Sequence, residues 1–136
     1  MHNLNQKTIT HKISFKGKLL FTSSTQENKN TVYGKSKKNA RVRFLKQSND
    51  LGYEFHGIQL PNLFGPFCRP NYNSFVATFC FNIISNKTSE IITDDEISLI
   101  YVGDLVEKLL NIMNTNNSIS LDDITHRIKV DQVLGL

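Results

Sequence analysis

The chain has 136 residues, of which 39% are hydrophobic and 21% charged, with a net charge of +4. That balance suits one globular domain with one hydrophobic core and excludes an intrinsically disordered chain. No apolar run approaches the roughly 20 residues that span a bilayer, and the polar stretch from Met1 to Lys12 does not resemble a signal peptide, so no membrane partner is expected and a cytoplasmic location is the default. Residues 1–17 show no clear period and read as an arm or the remnant of a helix. Lys18 to Ser24, KLLFTSS, is a short apolar run ending in hydroxyls. This suits a buried parallel strand with polar groups at its C-terminal end. QENKNT follows as a polar connection.

A helix is predicted from about Tyr33 to about Asp50, with Ala40, Phe44 and Leu45 as its apolar stripe and Gly52 as its C-terminal cap. YEFHGIQLPN is a second strand, closed by Pro61. LFGPFCRPNYN, with two prolines, a glycine and two asparagines, reads as an ordered loop. From Tyr72 to Ser85 the spacing of Tyr72, Phe75, Val76, Phe79, Cys80 and Ile83 predicts the strongest helix of the chain. Ile91-Ile92 and Ile97 to Val102 flank Asp94-Asp95 and suit a small hairpin. A helix is expected from Asp104, where Asp104 and Glu107 resemble a capping box, with Leu105, Val106, Leu109, Leu110 and Met113 as its buried stripe. Ser120 with Asp123 marks the start of a short final helix. Strands alternating with helices predict an α/β fold with a mostly parallel sheet.

The two cysteines, Cys68 and Cys80, have no metal-ligand spacing, and no metal site is expected. Cys80 falls on the apolar helix face and reads as a small buried thiol; a disulfide is not expected in a reducing compartment. Lys35, Lys37, Lys38, Arg41, Arg43 and Lys46 concentrate the positive charge. A basic helix suits either nucleic acid or a solvated face. No nucleic-acid motif is present and no aromatic residues interleave, so the solvated face is favoured and no nucleic-acid partner is expected. A basic chain also favours an anionic substrate.

Tyr33 and Lys37 lie four apart and share one helix face. Free tyrosine titrates near pH ~10 and is a poor base at neutral pH. A cation beside it favours the phenolate, so such a tyrosine can pass a proton to or from a sugar hydroxyl or ketone. A structural tyrosine beside a surface lysine produces the same spacing. Context favours chemistry: a strand ending in Ser23-Ser24 lies upstream, and the LPNLFGP loop ends the next strand downstream. Ligands of open α/β sheets sit outside the carboxyl ends of the strands.

In order and approximate spacing, LLFTSSTQ, VYGKSKKNAR, LPNLFGPFCRPNYNSFVATF and LIYVGDLVEKLL resemble the extended short-chain dehydrogenase/reductase family, the NAD-dependent epimerase/dehydratase group acting on nucleotide sugars. The match covers roughly residues 18–125. Its most distinctive part, RPNYNSFVATF, is similar to bacterial capsular-polysaccharide reductases of the UDP-N-acetyl-L-fucosamine pathway. These reduce a 4-keto sugar nucleotide with NADPH and carry a cupin domain after the reductase domain. The resemblance implies a partial Rossmann-like sheet with flanking helices, the C-terminal half of the family's domain. Residues 18–136 would form this catalytic and substrate-binding half.

The resemblance also implies roles. Ser24, or Ser23 in a shifted register, matches the catalytic serine, Tyr33 the acid/base, and Lys37 the lysine that holds the nicotinamide ribose of NADP or NAD. Pro61 lies where backbone packs near the nicotinamide. Asn62 would face a UDP-linked 4-keto sugar, with Arg69, Asn71 and Asn73 gripping its phosphates and sugar. An arginine fork suits a phosphate. A surface charge is the alternative for Arg69, and turn or helix-cap roles are alternatives for Asn71 and Asn73.

Three departures stand out. The seven glycines, Gly17, Gly34, Gly52, Gly57, Gly65, Gly103 and Gly135, form no G-x-x-G-x-x-G turn for the cofactor's pyrophosphate. Gln59 stands where the family usually has arginine, and Gly103-Asp104 where paired acids are common. The front half of the sheet is therefore expected to be absent. Two outcomes follow: a separate chain supplying the missing half, or a homo-oligomer, covers the bare strand edge, or the chain is a truncated, non-catalytic remnant.

Overall fold

The computed structural model describes residues 16–72, 74–87, 96–115 and 119–130. The chain divides into two compact units, Met1–Leu60 and Pro61–Leu136. In the first, β1 (Lys18–Ser24) leads through a single 3-10 turn (Thr25–Asn28) into α1 (Val32–Leu51) and then β2 (Glu54–Leu60). β1 and β2 run parallel, from Lys18 opposite Glu54 to Ser24 opposite Leu60. Parallel neighbours need a crossover, and α1 supplies it.

Local chemistry fixes both ends of α1. The Thr31 side chain accepts a hydrogen bond from the Gly34 amide at 3.0 Å, capping the first turn. Gly52 closes the last turn in the left-handed region, φ 73°, and its N–H donates to the Ser48 carbonyl. The predicted span of the helix agrees with this to within a residue or two at each end. Phe44, from the predicted stripe, lies between two strand rings, 5.3 Å from Phe21 and 6.2 Å from Phe55. Tyr53, Ile58 and Leu60 are also buried. Leu45 corrects the predicted stripe: it is exposed, because one residue beyond Phe44 rotates it about 100° away from the strands.

The second unit contains β3 (Asn62–Phe64), α2 (Phe75–Ile84), β4 (Glu96–Tyr101), α3 (Val102–Asn114), a 3-10 turn (Asp122–Ile124) and β5 (Thr125–Lys129). The strand order is β3-β4-β5. β3 is parallel to β4, and β5 is antiparallel to it. Ile100 is fully buried, and Leu99, Leu105 and Ile112 are buried as well.

Several expectations change here. β3 takes Asn62 from the segment read as the second strand and Leu63 and Phe64 from the segment read as loop: Pro61 has no N–H to continue a ladder, and the strand resumes at Asn62 with β4 as its partner. Ser74 rather than Tyr72 begins α2, its side chain accepting from the Ala77 amide at 3.3 Å. No α2 residue is buried, and Cys80 is exposed rather than buried. α3 starts at Val102, so Asp104 lies within its first turn and caps nothing. Leu105 and Ile112, seven apart, are its buried residues, while Val106, Leu110 and Met113 of the predicted stripe are exposed. Where Ser120 and Asp123 marked a helix start, the chain forms the 3-10 turn followed by β5, and Ser120 Oγ donates to the Asp122 carboxylate; residues 131–136 lie outside the described residues. The first half of the expected hairpin, Ile91 to Asp95, lies outside the described residues.

Gly52 isolates a purely conformational requirement, since an added Cβ would meet nothing within 4 Å. Gly52→Ala should lower unfolding stability by about 1 kcal/mol, read from the urea midpoint, and Gly52→Asn by less. An unchanged midpoint for Gly52→Ala would contradict the assignment.

Candidate active site

Tyr33 sits in the first turn of α1 and is 50% exposed. One turn on, the Lys37 ammonium lies 5.8 Å from the centre of the Tyr33 ring and 5.5 Å from that of Phe21. It donates to the Thr22 carbonyl of β1 at 3.3 Å. The ammonium is thus held by a strand carbonyl and two aromatic faces, each attractive to a cation. Ser24 ends β1 half-buried, and its Oγ accepts from the Gln26 amide at 3.2 Å, capping the 3-10 turn. A hydroxyl that accepts still has its O–H to donate. Ser23 is buried, and its Oγ finds no hydrogen-bond partner among the described residues. Of the two serines, Ser24 is the one that presents a hydroxyl toward solvent.

The turn after Ser24 packs directly on the start of α1. A Cβ on Gly34 would lie 2.2 Å from the Gln26 carbonyl oxygen and 2.9 Å from that of Lys29. Gly34 is therefore required by close approach. Within the turn, the Glu27 side chain is completely buried, and both its oxygens accept from Arg41 Nε, at 2.9 and 3.1 Å. This corrects the solvated helix face: Lys35, Lys38, Arg43 and Lys46 are exposed, whereas Arg41 turns inward to a carboxylate. Burial is the largest influence on Glu27 and opposes its ionisation. The hydrogen bond and charge of Arg41, helped by Ser23 and Gln59, outweigh it and hold the carboxyl below its ordinary value near 4.5. The Ser23 hydroxyl lies near enough to favour that charge while falling short of a hydrogen bond in its geometry.

Glu27 was not among the residues expected to matter. The sole hint in the sequence is that Arg41 follows Lys37 by four and so shares its face.

In the second unit, Pro61 is half-buried just before β3. Asn62 opens β3, and its Nδ2 donates to the Ser98 carbonyl at 3.4 Å. Asn62 also lines an open depression of about 350 Å³ with Tyr72, Ser74, Phe75, Thr78 and Phe79. Arg69 and Asn71 are exposed and do not line it. The Arg69 guanidinium lies 5.8 Å from the centre of the Tyr72 ring. Asn71 is left-handed, φ 54°, and its amide donates at 2.9 Å to Thr78 Oγ1, which donates in turn to the Ser74 carbonyl at 2.8 Å. Asn73 lies outside the described residues. Ser74 and Thr78 were not singled out from the sequence, and Tyr72 was read as the start of a helix stripe, because the helical period hid the turn before α2. Among the described residues no cluster of His, Cys, Asp and Glu could hold a metal ion, and no helix is long and apolar enough to cross a membrane.

No model of a protein family matches the sequence. The chain is 41% identical over 106 residues to a UDP-2-acetamido-2,6-beta-L-arabino-hexul-4-ose reductase of Pseudomonas aeruginosa, covering 76% of this chain and 28% of that protein. Its fold matches the capsular polysaccharide assembling protein CapF of Staphylococcus aureus with a TM-score of 0.77 and 27% identity, over 88% of this chain and 35% of that one. The chain corresponds to the C-terminal part of an extended short-chain dehydrogenase/reductase domain. A UDP-N-acetylglucosamine 4-epimerase of Methanobrevibacter ruminantium shares the fold, with a TM-score of 0.73 at 16% identity, over 87% of this chain and 44% of that one. The chain thus spans less than half the length of each of these relatives. The α/β fold and the parallel β1–α1–β2 crossover are those of a Rossmann-like short-chain dehydrogenase/reductase domain.

The lowered Glu27 value has a definite sign. Its stabilising contribution is fully present above the ordinary value near 4.5 and is lost as pH falls through the lower folded value. Urea midpoints measured between about pH 3 and 6 should fall toward acid, and more steeply in the wild type than in Glu27→Gln. Acid limbs that coincide would contradict the buried pair.

Proposed function

We propose that this chain supplies the proton-transfer and substrate-binding residues of a nucleotide-sugar oxidoreductase that reduces a UDP-linked 4-keto sugar with NADPH or NADH. The observation that carries this reading is the Lys37 ammonium, anchored by the Thr22 carbonyl near the Tyr33 ring. Tyr33 donates its phenol proton to the carbonyl oxygen as that oxygen gains charge, and Ser24 donates a hydrogen bond to the same oxygen. Lys37 steadies the phenolate left behind. The nicotinamide, when bound, supplies the hydride to the carbonyl carbon.

The residues present fit the nicotinamide end of the cofactor. Tyr33 and Lys37 offer an exposed phenol and a cation to the ribose; a role for Pro61 near the nicotinamide rests on the family resemblance alone. They do not provide the pyrophosphate end, because none of the seven glycines forms the required turn. That turn would come from residues outside this sequence, brought together with it in the cytoplasm. Large exposed apolar side chains such as Ile84 and Phe67 support further protein packing on residues 18–136. On the substrate side, Asn62 would face the sugar, and Arg69, Asn71 and Asn73 would grip the phosphates and sugar of the nucleotide sugar. The names of the reductase and epimerase relatives support a nucleotide sugar. The same exposed apolar side chains favour a second reading, a non-catalytic assembly module.

The test is NADPH oxidation with a UDP-4-keto sugar, in the presence of a polypeptide bearing the glycine-rich turn. Tyr33→Phe should lower kcat at least ~100-fold. An unchanged rate would remove Tyr33 from the mechanism, and no NADPH binding by calorimetry under these conditions would favour the assembly module.

A further inference from the structure

Glu27 is the anomaly of the first unit. Its neighbours Thr25, Gln26, Asn28, Lys29 and Asn30 are all exposed, yet its own side chain has no exposure at all. Burying a carboxylate is costly unless it is paired and hydrogen-bonded. Arg41 provides the partner, reaching both oxygens.

Arg41 stands eight residues beyond Tyr33 and four beyond Lys37, so all three share one face of α1. Its aliphatic stem runs over β2 at Gly57, where a Cβ would fall 2.7 Å from Arg41 Cγ. The turn after Ser24 is therefore gripped twice: at the first turn of α1 through Gly34, and two turns further along through Arg41. Surface ion pairs contribute little to stability, but a buried pair restricts geometry because separating it leaves an uncompensated charge.

We infer that Glu27 and Arg41 are a positioning pair that fixes the Ser24 hydroxyl against the face of α1 carrying Tyr33 and Lys37. This rests on the proposal that those three residues act together, and it adds residues that touch neither substrate nor cofactor. The pair acts through the 3-10 turn: with the clamp intact, Ser24 has one position; without it, the turn from Ser24 to Asn28 samples several.

Backbone order parameters from nitrogen-15 relaxation test this on the chain itself, with no substrate or cofactor. Amides from Ser24 to Asn28 should give values near ~0.85 in the wild type and below ~0.6 in Glu27→Gln, while those of Leu19 to Phe21 and Phe55 to Ile58 keep their values. A turn that stays rigid, or a whole unit that loosens together, overturns the proposal. Should Glu27→Gln fail to fold, Arg41→Lys, which keeps the charge but loses the planar fork, is read the same way. In turnover, Glu27→Gln should lower kcat about tenfold with little change in KM, and adding it to Ser24→Ala should cost nothing further. A full additional loss would break the link to Ser24. Failure of the relaxation result leaves the Tyr33 chemistry standing, and failure of Tyr33→Phe to slow turnover leaves the clamp standing.

Discussion

The chemistry proposed for the first unit depends on where one ammonium group is held. Lys37 reaches back from α1 to the Thr22 carbonyl near the end of β1, between the rings of Phe21 and Tyr33. That single contact ties the strand end to the helix face bearing Tyr33, and the parallel β1–α1–β2 crossover makes it possible. Phe44 packs between Phe21 and Phe55 and sets the distance from helix to strands. The Thr31 cap and left-handed Gly52 fix where α1 begins and ends, and so which side chains fall on the strand-end face.

The second unit holds its predicted substrate residues in a different manner. Asn62 is fixed by a strand and a side-chain hydrogen bond to β4. Arg69 and Asn71 lie instead in a loop with unusual backbone. Phe67 and Asn71 are both left-handed, φ 66° and 54°, and Phe67 is fully exposed. Positive φ suits asparagine and strains phenylalanine, and strained residues gather at functional sites. Gly65 belongs to the same loop: at φ 156° a side chain would strike Val102.

Local signals sufficed where one element explains itself. The hydroxyl-ended strand, the Tyr33–Lys37 spacing and the Gly52 cap were readable because each depends on neighbours in sequence. The family resemblance came from four such segments in order. Partners distant in sequence were invisible. β3 hid in a proline- and glycine-rich stretch because only β4 makes it a strand. β5 followed signals that suit a helix start, and pairing with β4 overrode them. Cys80 sits on an apolar helical face, which sequence alone equates with burial. Glu27 looked like one more polar linker residue, since its burial exists only after α1 folds back with Arg41. The same limit applies to the predicted meeting of LPNLFGP with the serines, which no local signal fixes.

The central claim is that Tyr33 and Lys37 work as one unit. A double-mutant cycle in kcat with Tyr33→Phe, Lys37→Met and the pair together, each in the cofactor-competent assembly, tests it most directly. If the account is right, each single change removes nearly all that the double change removes. Losses that multiply, with the double variant as slow as the product of the two singles, would contradict it.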